Sequence, residues 1–249
     1  GTLTVSALAE VLTTGAVGIT ADLVSIAGDG QIGGTGTGAG TAATVTIESD
    51  TAARTIGIAG GGGLLSLTSA DLARIRATDV RIGSTTSGAM IVNAWTPAAT
   101  FATDELTLAS SLGITQGGAI DLSTSTSNLI IRGAGNVVLE SGNDFESIAV
   151  SKTAGSVSIT DGDTLTVTNL TDDIGLVSGI TAPGGVTLAA SGLLTITDDV
   201  SSTDQAISLT GVGLTVDSGP ASVSSGSGEV TLDSGTGTLT VSALAEVLT

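Results

Sequence analysis

Short apolar-x-apolar triplets recur along the whole chain. In each triplet two aliphatic side chains flank one residue, which is most often Thr, Ser or Gly. Because successive side chains of a β-strand point to opposite faces, each triplet predicts a short strand with one buried face. The triplets are Leu3/Val5, Val17/Ile19, Val45/Ile47, Ile56/Ile58, Leu65/Leu67, Val80/Ile82, Leu106/Leu108, Ile120/Leu122, Leu129/Ile131, Val137/Leu139, Ile148/Val150, Val157/Ile159, Leu165/Val167, Val186/Leu188, Leu194/Ile196, Ile207/Leu209, Leu214/Val216, Val230/Leu232 and Leu239/Val241.

The spacing of the triplets predicts how the strands are arranged. One series recurs at separations of 20, 29, 21 and 23 residues and consists of Val137, Val157, Val186, Ile207 and Val230. A second series trails the first by seven to nine residues and consists of Leu194, Leu214 and Leu239. Two strands in each turn of about 20 to 23 residues are typical of a parallel β-helix, whose coils stack on one another. The sequence therefore predicts an all-β fold of this type, since the strands of a sandwich or barrel need no common turn length.

One segment of the chain occurs twice. Residues 1–13 and 237–249 both read GTLTVSALAEVLT, so an identical segment returns after 236 residues. A fixed offset is the signature of a repeat architecture. We therefore expect residues 1–236 to form one solenoid block of roughly 10–11 coils, about 50 Å long at about 4.8 Å between paired strands. Residues 237–249 then begin the next identical block, which covers the exposed strand edges of the block before it. We expect the parent protein to carry several such blocks.

The composition fits a thin core without large rings. Apolar residues make up 41% of the chain but aromatic residues only 1%, so the core is expected to consist of Val, Ile, Leu and Ala. Glycine occurs 37 times and proline three times, which favours many short strands and tight turns. A mean hydropathy of +0.50 argues against disorder.

The charge excludes several classes of partner. The chain carries 24 acidic and six basic residues, for a net charge of −18. Such a charge repels nucleic acid and anionic membrane surfaces, so we expect neither as a partner. No apolar run approaches the roughly 18 residues of a membrane-spanning helix, so membrane insertion is not expected. The absence of Cys and His excludes a disulfide framework and a Cys/His zinc site.

Three segments resemble the recurring coils of filamentous-haemagglutinin-type bacterial surface proteins. They are residues 55–84, TIGIAGGGGLLSLTSADLARIRATDVRIGS, residues 129–167, LIIRGAGNVVLESGNDFESIAVSKTAGSVSITDGDTLTV, and residues 179–188, GITAPGGVTL. The likeness is one of repeat style rather than of a diagnostic motif. It implies a right-handed parallel β-helix that is exported to the cell surface and acts as an adhesin or a fibrous stalk. The long identical repeat departs from that pattern and shifts the expectation toward a shaft.

Enzymatic chemistry has few residues to use. Without His, Cys or Tyr the chain cannot assemble a Ser/His/Asp or Cys/His site, so we expect no catalytic residues and no enzyme. The remaining enzyme hypothesis is a polysaccharide-cleaving β-helix that uses paired carboxylates. Its candidate pairs are more simply interpreted as turn residues, because Asp and Gly dominate turns. The pairs are Asp161/Asp163, Asp172/Asp173 and Asp198/Asp199.

Calcium is a second use for these carboxylates, because hard cations prefer oxygen ligands. The candidate metal ligands are Asp161, Asp163, Asp172 and Asp173. The chain has no Gly-Gly-x-Gly-x-Asp array and no EF-hand loop, so diffuse screening of the acidic surface by divalent ions is the simpler expectation. We expect no cofactor other than calcium.

Three segments interrupt the triplet pattern. Residues 94–103 contain Trp95, Pro97 and Phe101 and are predicted to form a lateral loop, with these side chains as a contact patch. Residues 69–80 have helical spacing, which leaves a short helix open, although an irregular segment is favoured because such short helices are marginal. The Gly-rich tract at residues 33–40 is expected to be a turn or protruding loop. It is not expected to hold phosphate, because no Lys follows it.

The sequence favours a structural role. We expect repeated blocks, stacked head to tail, to form a long secreted fibre or stalk on a bacterial surface, so that the partner of each block is another copy of itself. The alternative is an adhesin that binds glycan or another surface protein through lateral loops, and a polysaccharide-active enzyme is a more distant alternative.

Overall fold

The computed structural model describes residues 1–34, 42–125, 128–217 and 221–249, which fold almost entirely into β-strands. Strands make up 52% of the chain, and the described residues contain one short helix. The strands are β1 (Thr2–Val5), β2 (Glu10–Val11), β3 (Ala16–Thr20), β4 (Leu23–Ile26), β5 (Gln31–Ile32), β6 (Ala42–Glu48), β7 (Ile56–Ile58), β8 (Leu65–Leu67), β9 (Ala77–Gly83), β10 (Met90–Val92), β11 (Ala102–Ser110), β12 (Ile114–Gln116), β13 (Asn128–Gly133), β14 (Val137–Asn143), β15 (Ser147–Lys152), β16 (Val157–Asp161), β17 (Leu165–Val167), β18 (Asn169–Thr171), β19 (Leu176–Ser178), β20 (Ile180–Thr181), β21 (Val186–Ala190), β22 (Leu194–Ile196), β23 (Val200–Ser201), β24 (Ile207–Thr210), β25 (Leu214–Val216), β26 (Ser222–Ser224), β27 (Val230–Asp233), β28 (Leu239–Val241) and β29 (Glu246–Leu248), and the helix is α1 (Ser69–Leu72).

Two long parallel sheets contain most of these strands. The main path of the 14-stranded sheet runs β3-β6-β9-β11-β13-β15-β17-β22-β25-β28, and the nine-stranded sheet runs β8-β7-β10-β12-β14-β16-β21-β24-β27. Apart from the consecutive strands β7 and β8, each strand on these paths pairs with a strand of the next coil rather than with its neighbour in sequence, which is the arrangement of stacked coils. The predicted all-β fold is confirmed, and the long parallel sheets are consistent with a parallel solenoid.

The predicted triplet series are confirmed as vertical columns. The nine-stranded sheet places Val137 beside Val157, then Val186, Ile207 and Val230, each in direct register. The second series stacks in the same way in the larger sheet, where Leu214 pairs with Leu194 and Leu239. The spacing in the sequence therefore predicted the register of these strands.

The larger sheet divides into two columns at β15. Ser147 and Ile148 pair with β17, whereas Val150 and Ser151 pair with β20. From this point β20, β23, β26 and β29 form a second column beside the main path. Each later coil therefore has three short strands, such as β21, β22 and β23. The prediction of two strands per turn was wrong for these coils, because the polar residues between β22 and β23 turn the chain between two strands.

The core is a continuous stack of aliphatic side chains. Val, Ile, Leu and Ala from every part of the described chain join one buried cluster, with Phe101, Phe145, Trp95 and Met90 as its few larger members. Eighteen of the 19 predicted triplets lie in strands. The exception is Ile120/Leu122, whose two side chains are buried beside isolated bridges rather than in a strand. Period-two alternation therefore predicted the aliphatic columns of this core but not its aromatic members.

The helical spacing at residues 69–80 produces only one turn of helix. Thr68 caps α1, because its hydroxyl oxygen accepts from the N–H of Asp71 and the carboxylate of Asp71 accepts from the N–H of Thr68. Asp71 also accepts from the N–H of Ile26, which ties the turn to an earlier coil. The favoured irregular segment was therefore wrong for Ser69–Leu72, and the chain returns to a strand at Ala77.

Candidate functional site

The first copy of the repeated segment pairs with the coil that follows it. In β1, Leu3 pairs with Val24 and Val5 with Ile26. In β2, Val11 pairs with Ile32. An apolar groove of about 280 Å³ lies beside this copy, lined by Leu3, Val11, Val17, Gly18, Ile19, Thr20 and Ile32.

The second copy pairs with the coil that precedes it. In β28, Leu239 pairs with Leu214 and Val241 with Val216. In β29, Val247 pairs with Val223. Residues 2–5 and 10–11 of the first copy correspond to residues 238–241 and 246–247 of the second, so the same sequence forms strands in both places but uses opposite edges.

The aromatic segment does not form the predicted contact patch. Trp95 is 5% exposed and Phe101 is fully buried, with their rings in an edge-to-face contact at a centroid distance of 4.8 Å. Pro97 is also buried. Trp95 and Phe101 therefore pack in the core, because a coil with few large residues gains most from burying the ones it has. The prediction of a lateral contact through them was wrong.

A β-hairpin folds back across the outer face of the larger sheet. Its strands β18 and β19 are antiparallel, unlike the long sheets. Leu170 and Val177 are buried against the outward-facing Ile130 and Ala149, which forms a second, smaller apolar cluster. The hairpin therefore attaches to β13 and β15 through apolar contacts of its own.

Asp172 at the turn of this hairpin binds Arg132 of β13 through two hydrogen bonds. Nε and Nη2 of Arg132 donate to the two carboxylate oxygens at 2.7 Å each, and the Thr107 hydroxyl donates at 3.0 Å. Burial opposes the ionisation of Asp172, but the guanidinium of Arg132 and the N–H of Ile174 outweigh it, so the pKa of Asp172 lies below its usual value.

Asp173 makes a second ion pair one step further along the same face. Nε of Arg81 in β9 donates to its carboxylate at 2.9 Å, and Nη1 of the same guanidinium donates to Glu48 of β6. The Thr46 hydroxyl of β6 also donates to Asp173 at 3.4 Å, so with the Asp172 contacts the hairpin is bonded to four stacked strands, β6, β9, β11 and β13. Both predicted metal ligands on the hairpin are therefore engaged by arginine.

Asp161 and Asp163 lie together at a turn. The buried Asp161 accepts from the N–H of Phe145 at 2.9 Å and from the N–H of Asp163 at 3.0 Å. Burial is the main cause that raises the pKa of Asp161 to about 7. Among the described residues, no third carboxylate joins either predicted pair within ligating distance. Calcium binding at these four residues stays a prediction.

The pair Asp198/Asp199 acts as a turn. Asp198 accepts from the N–H of Asp199, and Asp199 accepts from both the N–H and the hydroxyl of Ser222 in the next coil, each at 2.8 Å. These contacts match the interpretation of paired carboxylates as turn residues. Of the predicted Gly-rich loop at residues 33–40, residues 35–40 lie outside the described residues.

A carboxylate cluster that the sequence did not indicate lies on the outer face of the larger sheet. Carboxylate oxygens of Asp79, Asp104 and Glu105 all lie within 4.8 Å of one another. Asp79 in β9 and Glu105 in β11 are register partners in adjacent coils. Burial, followed by the charges of Asp104 and Asp79, raises the pKa of Glu105 to about 7. Aligning the triplets at Val80 and Leu106 would have placed the two carboxylates side by side.

The comparisons with known proteins give no relative. No protein-family model, curated protein or solved structure matches this chain. Among the described residues, no helix has both the length and the apolar character needed to cross a membrane.

Proposed function

We propose that the chain is a repeat block of a long extracellular fibre or stalk from a bacterial surface, built as a right-handed parallel β-helix of roughly 10–11 coils per block. The observation that carries this proposal is the paired geometry of the repeated segment. One copy uses one strand edge and the other copy uses the opposite edge.

The two registers fit a single continuous column. When the copies are superimposed, Leu214 pairs with Leu239, which is equivalent to Leu3, and Leu3 pairs with Val24. In the second column Val223 pairs with Val247, which is equivalent to Val11, and Val11 pairs with Ile32. No register shift is needed in either column. The last coil of one block is therefore the first coil of the next, and the apolar groove beside the first copy is covered by the preceding block.

The charge of the coils supports a soluble fibre. Side chains on the outside of the strands are mainly Thr, Ser and Asp, and the net charge of −18 opposes lateral association of neighbouring fibres. A stack in which each coil contacts only its neighbours also lengthens without enlarging its core.

A tandem chain tests the shared coil. Residues 1–236 followed by residues 1–249 should form one straight rod about twice as long as a single block, at about 4.8 Å per coil. Electron microscopy and small-angle scattering measure this length. Replacing Leu239 and Val241 at the junction by Asp should produce two bodies joined by a flexible segment, whereas the outward Thr240→Asp control should remain a rod. Two bodies that hinge freely in the unmodified tandem would contradict the proposal, and immunogold labelling of producing cells tests surface location.

A second candidate function is adhesion through the hairpin of β18 and β19. Ile174 and Leu176 on the hairpin are 53% and 61% exposed, an unusual position for large apolar side chains. An adhesin would use this element rather than the buried aromatic segment. Replacing both residues by Ser should abolish attachment of the protein to host surfaces if this alternative holds, and leave it unchanged if the block is a shaft.

A further inference from the structure

A β-bulge directs two consecutive carboxylates toward one point. Ala102 pairs with Ala77 and Glu105 with Asp79, so three steps along β11 match two steps along β9. The extra residue in this register lets Asp104 and Glu105 approach the same neighbour instead of pointing to opposite faces of the sheet. Bulges commonly redirect side chains in this way at functional sites.

One buried oxygen of this cluster lacks a hydrogen-bond donor. Glu105 is 8% exposed, and its carboxyl group lies within hydrogen-bonding range of another carboxyl group, that of Asp79. The backbone N–H of Glu105 donates to the Asp79 carboxylate. Oδ1 of Asp79 is buried and accepts no hydrogen bond from any described residue. A buried acceptor without a donor is rare in a folded protein and indicates a missing water or ion.

The neighbouring cations do not neutralise the cluster. Arg81 follows Asp79 by two residues on the same face of β9 but is bonded to Glu48 and Asp173. Arg132 is bonded to Asp172. The hairpin instead adds negative charge, because Asp172 acts on Glu105 and Asp173 acts on Asp79. Like charges stacked directly opposite one another in a sheet are destabilising unless something lies between them.

We infer that Asp79, Asp104 and Glu105 bind one divalent cation, and that calcium fits the site best. Carboxylate oxygens within 4.8 Å of one another can surround a single calcium ion, because its oxygen ligands lie at about 2.3–2.6 Å from the metal. All ligands are hard oxygens, and the chain offers no His or Cys to favour a transition metal. Asp104 is exposed, so water can complete the coordination shell from that side. The ion would bridge the coils that contain β9 and β11.

Calorimetric titration of the full, calcium-free chain with calcium chloride tests the site. At about pH 7.5 and physiological ionic strength we expect saturable binding of one ion per chain, and a Tm that is higher in calcium than in chelator. Glu105→Gln and Asp104→Asn should each weaken binding by about tenfold or more, because calcium affinity depends on the number of charged ligands. Magnesium chloride should bind more weakly, since magnesium demands stricter octahedral geometry.

Glu229→Gln is the matched control, because it removes the same charge from an exposed position in a distant coil. It should bind calcium as the unmodified chain does. Equal weakening by Glu105→Gln and Glu229→Gln would show only diffuse screening by the acidic surface and would overturn the inference. A Tm that rises at lower pH but is the same in calcium and in chelator would show that a shared proton occupies the site, which also overturns it. Neither outcome bears on the fibre proposal.

Discussion

The coils up to Lys152 and the coils after it stack in different ways. Before this point the larger sheet uses strands of five to nine residues, and all six basic residues of the chain lie between Arg54 and Lys152. After it each coil has three short strands, and residues 153–249 contain eleven acidic residues and no basic ones. The earlier coils are joined by ion pairs across the sheet, whereas the later coils rely on apolar columns and on turns.

The difference shows how an acidic solenoid satisfies its carboxylates. In the later coils Asp199 accepts from a backbone N–H of the next coil, and Asp204 accepts from the N–H of Ser227. The stacked backbone itself therefore supplies the donors. In the earlier coils Glu48, Asp79 and Glu105 lie on the flat outer face of long strands, whose N–H groups are already used in the sheet. There they require arginine, a proton or a metal ion.

The largest effect is expected when the ion pair between Arg132 and Asp172, which joins the two regions, is broken. Arg132→Met leaves the buried carboxylate of Asp172 without its counterion, which costs about 3–5 kcal/mol for a buried pair. Urea denaturation measures the free energy of unfolding. The double variant Arg132→Met/Asp172→Asn removes the buried charge and should recover most of the loss. If Arg132→Met is as stable as the unmodified chain, the ion pair contributes nothing to the free energy of unfolding.

A second substitution tests the apolar columns of the later coils. Leu194 is fully buried between Leu165 and Leu214, so Leu194→Ala should lower the free energy of unfolding by about 3 kcal/mol. The neighbouring Leu193 is exposed, and Leu193→Ala should change it by less than about 0.5 kcal/mol. Equal effects at the two positions would contradict the claim that the buried apolar columns stabilise the later coils.

The pH dependence of stability compares one carboxyl group from each region. Glu105 and Asp161 both have a pKa raised to about 7 in the folded chain, against about 4 when unfolded. The folded state therefore holds these protons more tightly, and its stability falls as the pH rises from about 4 to about 7. When the protein is melted in chelator, we expect the Tm at the upper end of this pH range to be lower than at the lower end by about 3 °C or more.

Substitution separates the two contributions to this profile. Glu105→Gln and Asp161→Asn should each flatten part of the decline, because neither amide titrates. A decline that persists in full in the double variant Glu105→Gln/Asp161→Asn would assign it to the overall charge of −18 instead.

The smallest effect is expected at a turn of the later coils. Asp199→Ala removes the two hydrogen bonds from Ser222 and should cost about 1 kcal/mol, since the site is open to water. Asp198→Ala removes only a contact to its neighbour in sequence and should cost less. Urea midpoints distinguish the two, and the reverse order would show that the contact between coils is not what stabilises the turn.

The sequence by itself determined the all-β fold, the two columns of triplets and the repeated coil. These features depend on alternation between adjacent residues and on a nearly constant coil length, both of which are visible along the chain. It also correctly indicated that Asp198 and Asp199 lie at a turn.

Only the tertiary structure decided which outward-facing side chains meet. Arg81 and Asp173 are 92 residues apart, and they meet because a hairpin folds back over several coils. Asp104 joins Asp79 and Glu105 because of a bulge between Ala102 and Glu105 that no local pattern marks. Contacts on the outer face depend on register and on insertions between distant coils, whereas the inner ladder is fixed by the alternation within each strand.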